Sequence, residues 1–97
     1  MKDVKGKTAF ITGGASGIGL GIAKAFYNAG SNLVLADVRD DHLKNAAALF
    51  DDPDRVLCLN LDVTDRAAYA EAAKQAEEKF GKIHMLFNNA GMGVGGP

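Results

Sequence analysis

The sequence predicts an α/β fold: a doubly wound parallel sheet, partial, with strand order 3-2-1-4 and three helices. Three observations predict it. Four mostly apolar runs of strand length, at 7–12, 32–37, 55–61 and 83–88, alternate with three longer stretches of helical spacing. Runs of this kind suit parallel strands covered on both faces rather than strands with one wet side. The first run passes straight into the first helix through the glycine-rich turn Thr12-Gly13-Gly14-Ala15-Ser16-Gly17-Ile18-Gly19. Helix-length connections between parallel strands cross over right-handed, which puts the third strand beside the second, the second beside the first, and the fourth on the far side of the first.

Each element has a local reason. The first helix is expected over 18–29, with Ile18, Ile22, Ala25 and Phe26 on one face and Gly30 as its stop. The second strand carries Leu33-Val34-Leu35-Ala36 and ends at Asp37. The acids of Asp37-Val38-Arg39-Asp40-Asp41 favour the start of a second helix, which runs through about residue 50 until Asp51-Asp52-Pro53-Asp54 ends it. Cys58 is expected as a buried side chain of the third strand. Thr64 or Asp65 caps an alanine-rich third helix that closes near Phe80-Gly81, and the fourth strand opens into an asparagine-rich turn.

The turn after the first strand carries the chemistry. Glycine accepts unusual backbone angles and lets a bulky anion approach the main chain. The helix behind it offers unpaired N–H groups and a partial positive charge, so strand, glycine turn and helix together read as a pyrophosphate cradle. A turn that binds nothing is the plain alternative. A P-loop is excluded, because Leu20-Gly21 follows the last glycine where Lys and Ser or Thr would be required.

The pattern Thr-Gly-x-x-x-Gly-x-Gly, joined to Asp37, Asp62-Val63 and Asn88-Asn89-Ala90-Gly91, resembles the short-chain dehydrogenase/reductase family. The resemblance covers about residues 5–91, with four motifs in the family's order. It implies a Rossmann-type domain that binds a nicotinamide dinucleotide through Gly13, Ser16, Gly17, Ile18 and Gly19. Asp37, at the end of the second strand, stands where an acid accepts hydrogen bonds from the adenosine ribose and repels a 2′-phosphate. The cofactor is therefore expected to be NAD. Relatives that prefer NADP carry a basic residue in the glycine turn or just after the acid, where this chain has Ser16 and Val38. Arg39 complicates the choice: it either curls back onto a phosphate or pairs with a neighbouring aspartate.

By the same resemblance Asp62 meets the adenine amino group with Val63 against the ring, and Asn88, Asn89, Ala90 and Gly91 line the nicotinamide ribose. Each motif also has a plain reading: Asp62 as part of the polar turn before the third helix, and Asn88-Asn89 as an ordinary strand-end turn. A relative of the epimerase kind would space its glycines Gly-x-x-Gly-x-x-Gly, which Gly13, Gly17 and Gly19 do not fit.

Composition limits the other classes. Ninety-seven residues make one compact unit at most, 47% hydrophobic residues supply a core, and a net charge of −1 makes no electrostatic case for nucleic acid or an anionic membrane. Met1-Lys2-Asp3-Val4-Lys5-Gly6-Lys7 does not read as a signal peptide, and no apolar run is long enough to span a bilayer. Cys58 has no cysteine to pair with, which suits a cytoplasmic protein. His42 and His84 have no partner at metal-ligand spacing and read as structural, so no metal is expected.

The family's catalytic pair is Tyr-x-x-x-Lys with a preceding serine. Neither Tyr27 nor Tyr69 has a lysine four positions on, so no catalytic residue is assigned. Residues 1–97 are therefore expected to be the N-terminal cofactor-binding part of a longer oxidoreductase acting on an alcohol or ketone, a homo-oligomer at full length. The alternative is a stand-alone nucleotide-binding half-domain without catalysis.

Overall fold

A computed structural model describes residues 3–89. Strands β1 (Thr8–Thr12), β2 (Asn32–Asp37), β3 (Val56–Asn60) and β4 (Met85–Asn88) alternate with helices α1 (Gly17–Asn28), α2 (Asp40–Ala47) and α3 (Arg66–Phe80). The strands form one sheet in the order β3-β2-β1-β4, and every pairing is parallel. The strand order and the three helices match the sequence expectation.

The sheet carries a core on each face. On one side Ala9, Ile11, Leu33 and Leu35 pack against Ala23 and Phe26 of α1 and Leu43 and Ala46 of α2. On the other, Phe10, Val34 and Ala36 pack against Ala72 and Ala76 of α3. Alternate residues of a strand point to opposite faces, so β1 and β2, apolar at successive positions, serve both layers at once. Among the described residues α3 stands alone on its side; its alanines bring its axis close to the sheet, and the Tyr69 ring stacks on Phe10 at 5.8 Å between centroids.

Three details differ from the expectation. First, α2 ends at Ala47 instead of near Phe50. Past it, Leu49 and Phe50 donate to Ala46 and Ala47 in tighter i→i+3 turns, and Phe50 swings inward to bury its ring 4.8 Å from that of Tyr27. Pro53 then opens a single 3-10 turn, Pro53–Arg55, whose N-terminus is capped by Asp52 accepting from the Asp54 N–H. Second, the buried stripe of α1 is Gly19, Ala23 and Phe26, while Ile18 is 69% exposed and Ala25 lies on the outer face. Third, Cys58 is half-buried, because β3 is an edge strand that the short α2 covers in part.

A further cluster fastens the rear of α1. Arg55 donates from Nη2 to the carbonyls of Tyr27 and Ser31, both at 2.7 Å, while its guanidinium lies 3.9 Å over the Tyr27 ring. The Tyr27 hydroxyl accepts the Asp52 N–H at 2.9 Å. A cation on the last carbonyls of a helix also sits at the negative end of its dipole.

Candidate functional site

Parallel strands bring all four strand C-termini to one rim. Chain growth runs outward from β1 through β2 to β3, then returns across β1 to β4, so the direction reverses between β1 and β4. Ligands of open α/β sheets lie at that reversal, beyond the strand C-termini. A cleft of about 290 Å³ elsewhere on the surface, lined by Lys24, Tyr27 and Phe50 among others, is larger but belongs to the rear of α1, away from every strand C-terminus. At the reversal itself lies a smaller recess of about 130 Å³, lined by Ile18, Ile22, Phe87, Asn88 and Asn89. Ile18, the apolar side chain that leaves the core, forms one wall of it.

The glycine turn folds against this rim. Gly13 and Gly14 both donate to the Ala36 carbonyl, at 2.7 and 3.3 Å, which lays the turn along the end of β2. Helix α1 starts with Gly17 at φ +57°, a backbone geometry that other residue types adopt at a cost. Two residues on, a Cβ on Gly19 would collide with the Gly13 carbonyl oxygen and stand 2.9 Å from the Asn89 amide nitrogen. Only a residue without a side chain lets the helix press this closely on the turn.

The start of α1 is also left open. Ser16 occupies the N-cap position in extended backbone, yet its hydroxyl makes no capping bond, and the first turn contains no acid. By contrast α2 opens on Asp40 and Asp41, and Asp65 caps α3 by accepting the Ala68 N–H at 3.1 Å. The ladder of α1 begins with the Leu20 N–H to the Ser16 carbonyl, so the donors of Gly17 to Gly19 precede it. Glycine backbone at close approach, unpaired N–H groups and a nearby hydroxyl form a donor set that fits a pyrophosphate.

Asp37 is held beside this turn. Its two carboxylate oxygens accept the Ala15 N–H at 3.3 Å and the Arg39 N–H at 3.2 Å. Both oxygens keep lone pairs for a further donor such as a ribose hydroxyl. Arg39 turns away from it: Nε and Nη2 donate to the two oxygens of Asp41 at 3.0 and 2.7 Å. That pair draws the Asp41 carboxyl below its ordinary range and pushes the guanidinium up. Of the two fates open to Arg39, pairing with a neighbouring aspartate is the one the structure adopts.

On the flanks, the turns after β3 and β4 complete the rim. The Asp62 carboxylate accepts from the Thr64 hydroxyl at 2.6 Å and the Thr64 N–H at 2.9 Å, and these bonds hold its pKa below the ordinary value. Both bonds fall on Oδ1, which ties Asp62 into the polar turn before α3 while the residue remains exposed at the rim, and Val63 packs partly into the α3-side core. Beyond β4, the Thr12 hydroxyl lies 3.1 Å from the Asn88 side-chain oxygen and 3.3 Å from the Phe87 carbonyl. The Asn89 amide donates to the Gly13 carbonyl at 3.3 Å. Ala90 and Gly91 lie outside the described residues. The structure thus gathers Gly13, Ser16, Gly17, Ile18, Gly19, Asp37, Asn88 and Asn89 around the end of β1, with Asp62 and Val63 set further along the rim.

Two participants escaped the sequence reading. Ala15 contributes only a backbone N–H, which no residue type announces. Thr12 had a signal as the first residue of the Thr-Gly-x-x-x-Gly-x-Gly pattern, and the structure sets it level with Asn88 in the β1–β4 register. Both tyrosines have structural work, Tyr27 at the rear of α1 and Tyr69 on Phe10. Among the described residues no group of His, Cys, Asp or Glu is arranged to hold a metal ion, and no helix is long and apolar enough to cross a membrane.

An α/β unit with a glycine turn, an open helix N-terminus and a pinned acid at its switch point defines a class, the dinucleotide-binding domains. Within that class, the profile of the short chain dehydrogenases matches residues 7–97, and the chain belongs to that family. A C alpha-dehydrogenase of Sphingobium sp. strain SYK-6 is 44% identical across all of this chain, which spans 32% of that protein. A short chain dehydrogenase/reductase from Burkholderia phymatum, solved in complex with NAD, superposes with a TM-score of 0.85 at 39% identity, over 94% of this chain and 33% of its own. The C-domain of a bacterial malonyl-CoA reductase, solved with NADP, gives a TM-score of 0.84 at 32% identity, over 91% of this chain and 15% of its own. The chain therefore spans about a third of the length of the curated relatives it matches. The family binds a nicotinamide dinucleotide, and of the two solved structures just named one holds NAD and the other NADP.

Proposed function

We propose that this chain is the NAD(H)-binding part of an oxidoreductase that interconverts an alcohol and a carbonyl in the cytoplasm, as a homo-oligomer at full length. The observation that carries the choice of NAD(H) is the carboxylate of Asp37, pinned by the Ala15 and Arg39 N–H groups at the end of β2. A ribose diol donates to such a carboxylate, whereas a 2′-phosphate meets its charge with no free fork of Arg39 beside it. Gly13, Ser16, Gly17, Ile18 and Gly19 hold the pyrophosphate through backbone donors and the Ser16 hydroxyl. Asp62 and Val63 flank the adenine, and Asn88, Asn89, Ala90 and Gly91 border the nicotinamide ribose. The nicotinamide, when bound, would give the hydride to a carbonyl or take it from an alcohol; the residues of this chain bind and orient it. The recess walled by Ile18, Ile22 and Phe87 offers an apolar surface beside the rim.

Calorimetric titration of the intact gene product with NAD(H) and NADP(H) tests the reading. NAD(H) is expected to bind more tightly, and Asp37→Ala to narrow the preference by about 1–3 kcal/mol, the range for removing a buried hydrogen-bond partner. Tighter binding of NADP(H) by the unaltered protein overturns it.

A further inference from the structure

Asp37 is the usual place to look for cofactor choice, yet it does not act on an unopposed field. Arg39 leaves the same turn two residues later, and its backbone N–H is bonded to the Asp37 carboxylate itself. In the dinucleotide reading a group added to the ribose would stand beside Asp37, to which the Arg39 backbone is bonded. The planar guanidinium fork of Arg39 matches a phosphate as well as it matches a carboxylate, through the same pair of parallel N–H donors. In this structure that pair is taken: Nε and Nη2 both donate to Asp41, one oxygen each.

We propose that Asp41 is a specificity-positioning residue: by filling the Arg39 fork it withholds that cation from a 2′-phosphate and so tilts the choice of cofactor toward NAD(H). The inference rests on the dinucleotide reading given above and adds to it a residue that does not itself touch the cofactor. Specificity of this kind is set by denying a contact to the competitor as much as by making one to the favoured ligand.

The neighbouring acids do not share the task. Asp40 accepts the Asn60 side-chain amide at 2.7 Å, which ties it to the end of β3. Asp37 bonds only the Arg39 backbone N–H and acts on the guanidinium by charge alone, leaving both of its hydrogen bonds to Asp41. Both members of the pair are 59% exposed, so the restraint is modest. Exposed pairs of this kind shift equilibria by roughly two- to five-fold, not by orders of magnitude.

The test is a set of titrations of the intact gene product with NAD⁺ and NADP⁺, read as the ratio of the two dissociation constants. Asp41→Asn is expected to raise NADP⁺ affinity roughly two- to five-fold relative to NAD⁺. The double variant Arg39→Gln with Asp41→Asn is expected to lose that gain, because the freed fork is what captures the phosphate. Asp40→Asn, which removes an equal charge one residue away, is expected to leave the ratio where it was. A gain that persists without Arg39, or an equal gain from Asp40→Asn, would mean that lost negative charge alone is responsible and overturns the inference. If both dinucleotides bind with NAD⁺ preferred and Asp41→Asn leaves the ratio unchanged, this inference falls while the functional reading stands. If neither binds the unaltered protein, both fall.

Discussion

The side-chain amide of Asn89 donates to the carbonyl of Gly13 at 3.3 Å, joining two turns that are 76 residues apart in sequence. The bond closes the rim where β1 and β4 end side by side, and Gly19 packs directly beneath it. The start of α1, the glycine turn and the turn after β4 therefore form one assembly, in which each holds the others at a fixed distance.

Gly19→Ala is expected to break that assembly. The added methyl would meet the Gly13 carbonyl group and the Asn89 amide nitrogen, two of these contacts being at 2.8 and 2.9 Å where they are not closer still. The Gly13 contact is with backbone, so relief requires moving the turn or the helix. Overpacking of this kind costs about 1–3 kcal/mol. Thermal unfolding should show that loss, and dinucleotide affinity should fall by at least about tenfold, since a 1.4 kcal/mol displacement of the cradle already costs that much. A variant with unchanged melting and unchanged affinity would show that the turn yields freely.

Arg55→Ala should destabilise the protein without touching the rim. The side chain bonds two carbonyls, at Tyr27 and Ser31, and covers the Tyr27 ring. Hydrogen bonds to a charged donor are worth about 1.5–3 kcal/mol, and partial exposure trims the total toward the lower end. Denaturant unfolding is expected to lose about 1–2 kcal/mol, and Arg55→Lys to recover part of it, since an ammonium also has N–H donors for the carbonyls but no planar group to lie over the Tyr27 ring. Equal stability of the alanine variant and the unaltered protein would contradict the assignment.

Cys58 should be a poor nucleophile. Burial pushes its thiol pKa up, and Sγ lies 3.9 Å from the Leu43 carbonyl, a weak donor contact that also favours the protonated form. Alkylation by iodoacetamide at pH 8 is expected to run several-fold slower in the native protein than in denaturant, because the thiolate is the attacking species. The sign for stability follows: a folded-state pKa raised above that of the free thiol, about 8.5, gives a contribution present below that pH and lost as pH rises through the folded value. Native and denatured rates that coincide would place the thiol in open water.

The strand order could be read from the sequence because it depends on features that sequences display. Apolar runs of strand length alternate with helix-length connectors, and the hand of a crossover is fixed by backbone chirality. Asp37 was legible for the same reason: the end of β2 is set by where the run Leu33–Ala36 stops. What stayed hidden depends on three-dimensional competition. Periodicity placed Ile18 and Ala25 on the inner face of α1, but Gly19 brings that helix so near the turn that the buried stripe rotates to Gly19, Ala23 and Phe26. Phe50 looked like the last turn of α2, and its ring instead finds Tyr27, which only the fold brings within reach. The bond from Ala15 to Asp37 is a backbone contact and leaves no mark in residue type.

The last prediction concerns the outer edge of β4. This strand pairs with β1 on one side, and no described strand lies on its other side. Its side chains Met85 and Phe87 are half-buried on the α1 side, Leu86 is 58% exposed on the other, and among the described residues α3 is the only helix packed on that second face. An edge of this sort presents unpaired backbone donors and acceptors together with apolar surface, a template for another chain. Covering about 400 Å² of apolar surface at about 25 cal/mol/Å² is worth on the order of 10 kcal/mol before the cost of association is deducted. The isolated 97-residue polypeptide is therefore expected to self-associate or to bind a polypeptide that supplies a further strand. Light scattering at rising concentration should give masses above that of one chain, and Leu86→Lys should lower them by placing a charge on the edge without disturbing the buried layers. A compact monomer that unfolds cooperatively across the same concentrations would show that β1 and the two cores suffice to hold β4 without a neighbour.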